Sequence, residues 1–232
     1  SQMNKLVLSD LDKTLVYTIT RTHGVEDRLK YAARVVHGVE VDVNFDLEGL
    51  TDRNALERCL SEKKVTNINY DRCFREMLQY YLLAYFQGTR FRRCPGARWL
   101  FRFCRRQGIP VGVVTGTLQG IAIVKMCSVG LRNFIHPAIS AYGDDEHQDR
   151  SELVRVALEK ARESVGFGIE HGTLWIIGDT PRDIQAGKAV KARTIGVATG
   201  NFNKAALELE SPDLVVKNLW VERRKVAHLL LE

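Results

Sequence analysis

Apolar positions along the chain fall into two registers. Short runs such as Leu6-Val7-Leu8 and Trp175-Ile176-Ile177 have the length of buried strands. Others recur at helical spacing, as in Ala97, Leu100, Phe101 and Cys104, or Leu153, Val154, Ala157, Leu158 and Ala161. From residue 95 onward the two registers alternate. Pro95 is expected in the first turn of a helix that stops at Gly108. Strands are then expected at 110–114, 139–142, 173–177, 193–198 and 214–216, and helices at 118–129, 151–164, 181–191, 205–210 and 219–231. This order predicts an α/β fold with a mostly parallel sheet and helices on both faces.

Residues 17–93 break the pattern. Val25, Leu29, Ala32, Ala33 and Val36 mark one helix, and Thr51 or Asp52 can cap a second that runs to about Glu62. A third, from Asn69 or Tyr70 to Gln87, carries Cys73, Phe74, Met77, Leu78, Tyr81, Leu82 and Tyr85 along one side. The segment reads as a small α-helical domain, with 1–16 and 94–232 as the α/β core and 88–94 as the return hinge. Tyr80, Tyr81, Tyr85 and Phe86 read as its core rather than as ligand contacts.

The 232 residues, 45% hydrophobic, suffice for such a core plus a smaller module. Lys and Arg number 34 against 28 Asp and Glu, a formal charge of +6, which favours anionic ligands without implying nucleic acid. Arg90, Arg92, Arg93, Arg98, Arg102, Arg105 and Arg106 make the most basic stretch, read as a solvated helix face rather than a nucleic-acid stripe. The five Cys are scattered without CxxC spacing, which predicts reduced, buried thiols in a cytoplasmic protein. No apolar run is long enough to span a bilayer, so no membrane partner is expected. Ser1-Gln2 ahead of Met3 reads as an expression remnant.

The candidate chemistry begins at the end of the first strand. Asp10 and Asp12 crowd two carboxylates there, which is costly without a cation or a shared proton. A polar turn capping a helix is the plain alternative. Three later stretches change the balance: Gly112-Val113-Val114-Thr115-Gly116-Thr117, Asp149-Arg150-Ser151, and Ile176-Ile177-Gly178-Asp179-Thr180-Pro181-Arg182-Asp183. With Asp10-Leu11-Asp12-Lys13-Thr14 they resemble, in order, the four motifs of the haloacid dehalogenase (HAD) superfamily. Residues 192–200 also resemble that family's segment after its fourth motif. Two departures stand out: Lys13 replaces a common Gly, and Arg150 stands where Lys is commoner.

The resemblance, closest to phosphoglycolate phosphatase-like members, implies a Rossmann-like core with a helical cap after the first motif. It implies a phosphatase using Mg²⁺ on a small phosphorylated substrate. Asp10 would be the nucleophile that forms an aspartyl-phosphate. Asp12 would be the general acid and base, served by a raised pKa expected beside Asp10. Thr115, the Gly116 amide and Arg150 would bind the phosphoryl group. Asp10, the Asp12 carbonyl, Asp179 and, through water, Asp183 would hold the metal. Asp183 also fits a capping box with Thr180. Should Arg150 be uninvolved, Lys160 is the next basic candidate. Lys13 is expected to point to solvent, and residues 47–53 to sort substrates. A phosphomutase or other phosphotransferase of the same superfamily is the alternative within enzymes; a non-catalytic anion- or nucleic-acid-binding module is the alternative outside them. Oligomeric state is left open.

Overall fold

In the computed structural model, which describes residues 4–20 and 24–232, the chain enters through β1 (Lys5–Ser9) and leaves the sheet in β2 (Val16–Thr20). Residues 1–3, and with them Ser1-Gln2, lie outside the described residues, as do 21–23. Three helices follow: α1 (Val25–His37), α2 (Asp52–Glu62) and α3 (Tyr70–Phe86). The chain returns through β3 (Arg90–Arg93). It then runs α4 (Ala97–Arg106), β4 (Val111–Val113), α5 (Gln119–Ser128), α6 (Arg150–Val165), β5 (Thr173–Gly178), α7 (Pro181–Ala189), β6 (Arg193–Val197), α8 (Lys204–Glu208), β7 (Leu214–Val216) and α9 (Arg223–Leu231).

The main sheet has five parallel strands in the order β4-β1-β5-β6-β7. Its side chains alternate between two cores, as the pleat requires. Val7, Trp175, Ile177 and Ile195 pack under α4, α5 and α9, whereas Leu6, Leu8, Leu174 and Ile176 pack under α6 and α7. Both faces are therefore covered, which explains strands of nearly unbroken apolar residues. Because the strands are parallel, their C-terminal ends share one edge. There β1 lies between β4 and β5, although β4 and β5 follow one another in sequence. Such a reversal opens a crevice in which α/β proteins bind ligands.

The helical insertion has its own core of Leu29, Ala32, Leu56, Leu60, Cys73 and Met77, which continues onto Leu118 and Ile121 at the start of α5. Two of its three helices start at a side-chain cap: Thr51 caps α2 by accepting from the Asn54 N–H, and Asn69 caps α3 by accepting from that of Arg72.

Several expectations are corrected. The return segment is not a bare hinge: β3 pairs antiparallel with β2, so a two-stranded ribbon joins insertion and core. Residues 139–142 form no strand. A 3₁₀ turn (Pro137–Ile139) precedes a single bridge between Val114 and Ala141, because the Ser140 hydroxyl takes a ladder position by accepting from the Val113 N–H. Pro95 precedes the first turn of α4, whose N-cap is Gly96. The last helix begins at Arg223 because Asn218 accepts from the N–H groups of Trp220 and Val221 and holds them in a turn. Four cysteines are buried free thiols, but Cys127 is exposed. Among the aromatics assigned to the insertion's core, Phe86 is exposed, and Tyr81 is buried but lines the cavity below. No helix among the described residues is long and apolar enough to cross a membrane.

Candidate active site

The cavity at the strand ends measures about 640 Å³ and is lined by residues of both the sheet and the helical insertion. Two of the acids are delivered by strand ends and a third by the helix that follows one of them. Asp10 directly follows β1, and its N–H donates to the Ile177 carbonyl at 2.8 Å, which ties it to β5. Asp179 directly follows β5, and Asp183 sits in the first turn of α7. Gly178 makes this possible: a Cβ there would lie 2.3 Å from the Asp183 side chain. Carboxylate oxygens of Asp10, Asp179 and Asp183 all lie within 4.8 Å of one another. Asp183 also forms the capping box with Thr180, so both of its expected placements are realised in one side chain.

Arg150 reaches into this cluster from the start of α6. Its Nη2 is 2.6 Å from Asp10 Oδ1 and 2.8 Å from Asp183 Oδ1. Burial alone would lower the Arg150 pKa, but the charges of Asp183 and Asp10 more than offset this and raise it. Lys160 is elsewhere, bound to the Ser140 carbonyl and to Asp145. The Thr14 hydroxyl donates to Asp179 Oδ1 at 3.0 Å, while Asp179 Oδ2 is buried without a hydrogen-bond partner. Burial, then the charge of Asp10, pushes Asp179 and Asp183 well above the carboxylate range. Such a set is frustrated as it stands.

Asp12 differs from the expectation. Its Oδ1 is 2.6 Å from Lys125 Nζ, and its Oδ2 accepts from the Thr117 hydroxyl at 2.9 Å. Burial would raise its pKa; the Lys125 charge and these hydrogen bonds outweigh burial and hold it below the usual value. The two motif acids are thus separated, each with its own cation: Arg150 for Asp10 and Lys125 for Asp12. Lys125 was missed in the sequence because it lies on α5 amid apolar residues, where a lone Lys reads as a solvent-facing position. It is in fact buried.

Lys13 also does not point freely to solvent. It adopts φ +64°, the left-handed conformation that a Gly accepts more readily, and its Nζ lies 3.4 Å from Glu48. The Lys13 carbonyl accepts from Thr199 at 2.6 Å, which closes the Asp10 loop against the segment after β6.

Thr115 and Gly116 line the cavity after β4. The Gly116 carbonyl accepts from the Asp52 N–H at 2.7 Å, and the Asp52 carboxylate accepts from the Leu118 N–H at 3.1 Å. Asp52 thereby caps α5, which has no side-chain cap of its own. Arg28 of α1 donates to both Asp52 oxygens, at 3.0 and 3.1 Å. The Thr51 hydroxyl meets His147 Nε2 at 2.7 Å, and burial lowers the pKa of that imidazole. Residues 47–52 therefore roof the cavity and are fastened to the loop carrying Thr115.

The chain is similar in sequence and in fold to known proteins. A HAD-hydrolase-like family model matches residues 150–221. A phosphoglycolate phosphatase of Pseudomonas putida is 24% identical over 228 residues, spanning 93% of this chain and 77% of that protein. A hydrolase from Pseudomonas syringae superposes with a TM-score of 0.65 at 16% identity, covering 97% of this chain and 99% of the other. A Bacteroides vulgatus protein described as a β-phosphoglucomutase does so at 0.63 and 17%, covering 100% and 91%. These solved structures establish the fold. With the four motifs meeting at one sheet edge, the chain is similar in sequence and in fold to hydrolases of the haloacid dehalogenase superfamily.

Proposed function

We propose that this chain is a Mg²⁺-dependent cytoplasmic phosphatase that hydrolyses a small phosphorylated metabolite through an aspartyl-phosphate on Asp10. The observation that carries this reading is the buried cluster of Asp10, Asp179 and Asp183 with a single guanidinium among them. Fully ionised, three carboxylates and one guanidinium leave a charge of about −2, which one divalent cation balances. All the donors are oxygens, as Mg²⁺ prefers, and the unpartnered Asp179 Oδ2 is a ready ligand. Asp10 and Asp179 would bind directly, Asp12 through its carbonyl and Asp183 through water. When bound, the cation neutralises the charge that otherwise keeps a carboxylate from attacking a phosphate ester.

Arg150 donates to Asp10 Oδ1 at 2.6 Å, whereas Oδ2 has only the Thr14 hydroxyl at 3.4 Å and is the attacking oxygen. The Oδ2–phosphorus bond forms as the bond to the leaving oxygen breaks, and that oxygen takes a proton from Asp12, which must first be protonated although Lys125 favours its carboxylate form. Asp12 then takes a proton from the water that hydrolyses the acyl phosphate. Arg150, Thr115 and the Gly116 amide hold the phosphoryl oxygens throughout. Lys125 and Thr117 fix the orientation of Asp12. Residues 17–93 act as a cap over the reaction, and residues 47–53 sort substrates.

The named activity of the P. putida relative points to phosphoglycolate or a similarly small monoester as substrate. The phosphoglucomutase among the structural neighbours supports a second reading, in which a sugar hydroxyl rather than water accepts the phosphoryl group. Mass spectrometry of enzyme quenched during turnover tests the intermediate. Phosphate on Asp10 is expected and should be absent in Asp10→Asn. Label on another residue would refute it. Release of inorganic phosphate, against interconversion of sugar phosphates, separates phosphatase from mutase.

A further inference from the structure

Outside the active site, α4 and the base of the β2–β3 ribbon enclose a second hollow of about 530 Å³. Arg93, Arg98, Arg102 and Arg106 line it together with Trp99 and Trp220, and no carboxylate lines it among the described residues. It shares no lining residue with the catalytic cavity. Arg98, Arg102 and Arg106 stand at i, i+4 and i+8 on α4, a helix without a single acidic residue. Like charges at that spacing destabilise a helix. No hydrogen bond or ion pair relieves them among the described residues; Arg93 alone is tied, donating to the Val129 carbonyl at 3.0 Å. Trp220 is 50% exposed, with the Arg223 guanidinium over one face of its ring at 4.0 Å and the opposite face left for a ligand. A row of uncompensated guanidiniums beside an accessible indole is the inventory of a site for a ligand with several anionic groups and a planar ring.

We propose that this hollow binds a nucleoside polyphosphate. Successive guanidiniums rise about 6 Å along the helix, which suits a chain of linked phosphates better than a lone one. Arg grips phosphate oxygens in pairs, and an indole stacks on a base through its π face. The volume falls within the range of small-molecule sites. A solvated helix face accounts for the exposure of these arginines but not for a lining that holds four of them and no carboxylate.

The test is calorimetric titration of the full chain in excess chelator and low salt, which silences metal-dependent turnover. The ligands are ATP, ADP, AMP, adenosine, inorganic tripolyphosphate and a single-stranded RNA 20-mer. ATP should bind more tightly than ADP, ADP more tightly than AMP, and both adenosine and tripolyphosphate should bind more weakly than ATP. Arg102→Glu should weaken ATP by about tenfold or more. The same variant should keep wild-type turnover of an aryl phosphate. It should melt no lower than wild type, since Glu between Arg98 and Arg106 replaces repulsion with attraction. Trp220→Ala should weaken ATP but not tripolyphosphate. The proposal is overturned if ATP fails to bind at millimolar concentration, or if Arg102→Glu leaves its affinity unchanged. Equal affinity for tripolyphosphate and ATP would reduce the hollow to a simple anion site, and binding of the RNA alone would make it a nucleic-acid surface; either result also overturns the proposal.

Discussion

Replacing Lys125 with Met keeps most of the buried volume and removes one charge 2.6 Å from Asp12. A hydrogen bond to a charged group contributes about 1.5–3 kcal/mol, and truncating one partner of a fully buried pair costs about 3–5 kcal/mol. Here the Lys125 side chain is 9% exposed but that of Asp12 is 37% exposed, so solvent screens the pair and the lower figure of about 1.5 kcal/mol applies. Chemical unfolding of wild type and variant at pH 7 measures it. The pH dependence gives a second readout. Lys125 holds the folded-state pKa of Asp12 below its ordinary value. The pair's contribution is therefore fully present above the unfolded pKa of about 4 and is lost as pH falls through the folded value. The gap between the two proteins should narrow in acid. Turnover should fall about a hundredfold, the scale of a misplaced general acid. A variant as stable as wild type at pH 7 with unchanged turnover would refute the assignment of Lys125 to Asp12.

Arg150→Ala should reduce turnover about a hundredfold, as for loss of one oxyanion donor, and Arg150→Lys should recover part of it in steady-state assays of folded protein. Lys13→Gly should raise stability by up to about 1 kcal/mol by relieving the left-handed backbone, less whatever the half-exposed Glu48 contact contributes; a lower melting temperature would contradict this. Gly116→Ala would put a Cβ 2.7 Å from the Thr51 Cα, so the roof must move. It should raise KM more than it lowers kcat, and an unchanged KM would count against residues 47–53 as the substrate-facing segment.

Much of the candidate active site was legible in the sequence because it sits where strands end. A buried apolar run followed by Asp locates the carboxylate at a known edge of a known layer, and Asp10, Thr115 and Asp179 meet there. Arg150 was legible from its place before a helix. Positions whose partners come from distant parts of the chain were not legible. Nothing in the spacing of Asp12 and Lys125 signals a contact across 113 residues. Asp52 as the cap of a helix in the other half of the molecule is equally invisible locally. The β2–β3 ribbon escaped because Arg90-Phe91-Arg92-Arg93 lacks the apolar alternation of a half-buried strand; only Phe91 packs inward, and the pairing partner lies some 75 residues earlier. The bridge at Ala141 looked like a strand because apolar residues surround it, but the side chain of Ser140 had already taken a ladder position.

The most direct test of the central claim is phosphatase activity on an aryl phosphate, read with Mg²⁺ binding by calorimetry on the same protein. If Asp10, Asp179 and Asp183 hold the cation, wild type binds one Mg²⁺ per chain, loses turnover in excess chelator and regains it when Mg²⁺ is restored, whereas Asp179→Asn shows neither binding nor rescue. Full turnover in excess chelator, or unaltered Mg²⁺ binding by Asp179→Asn, would contradict it.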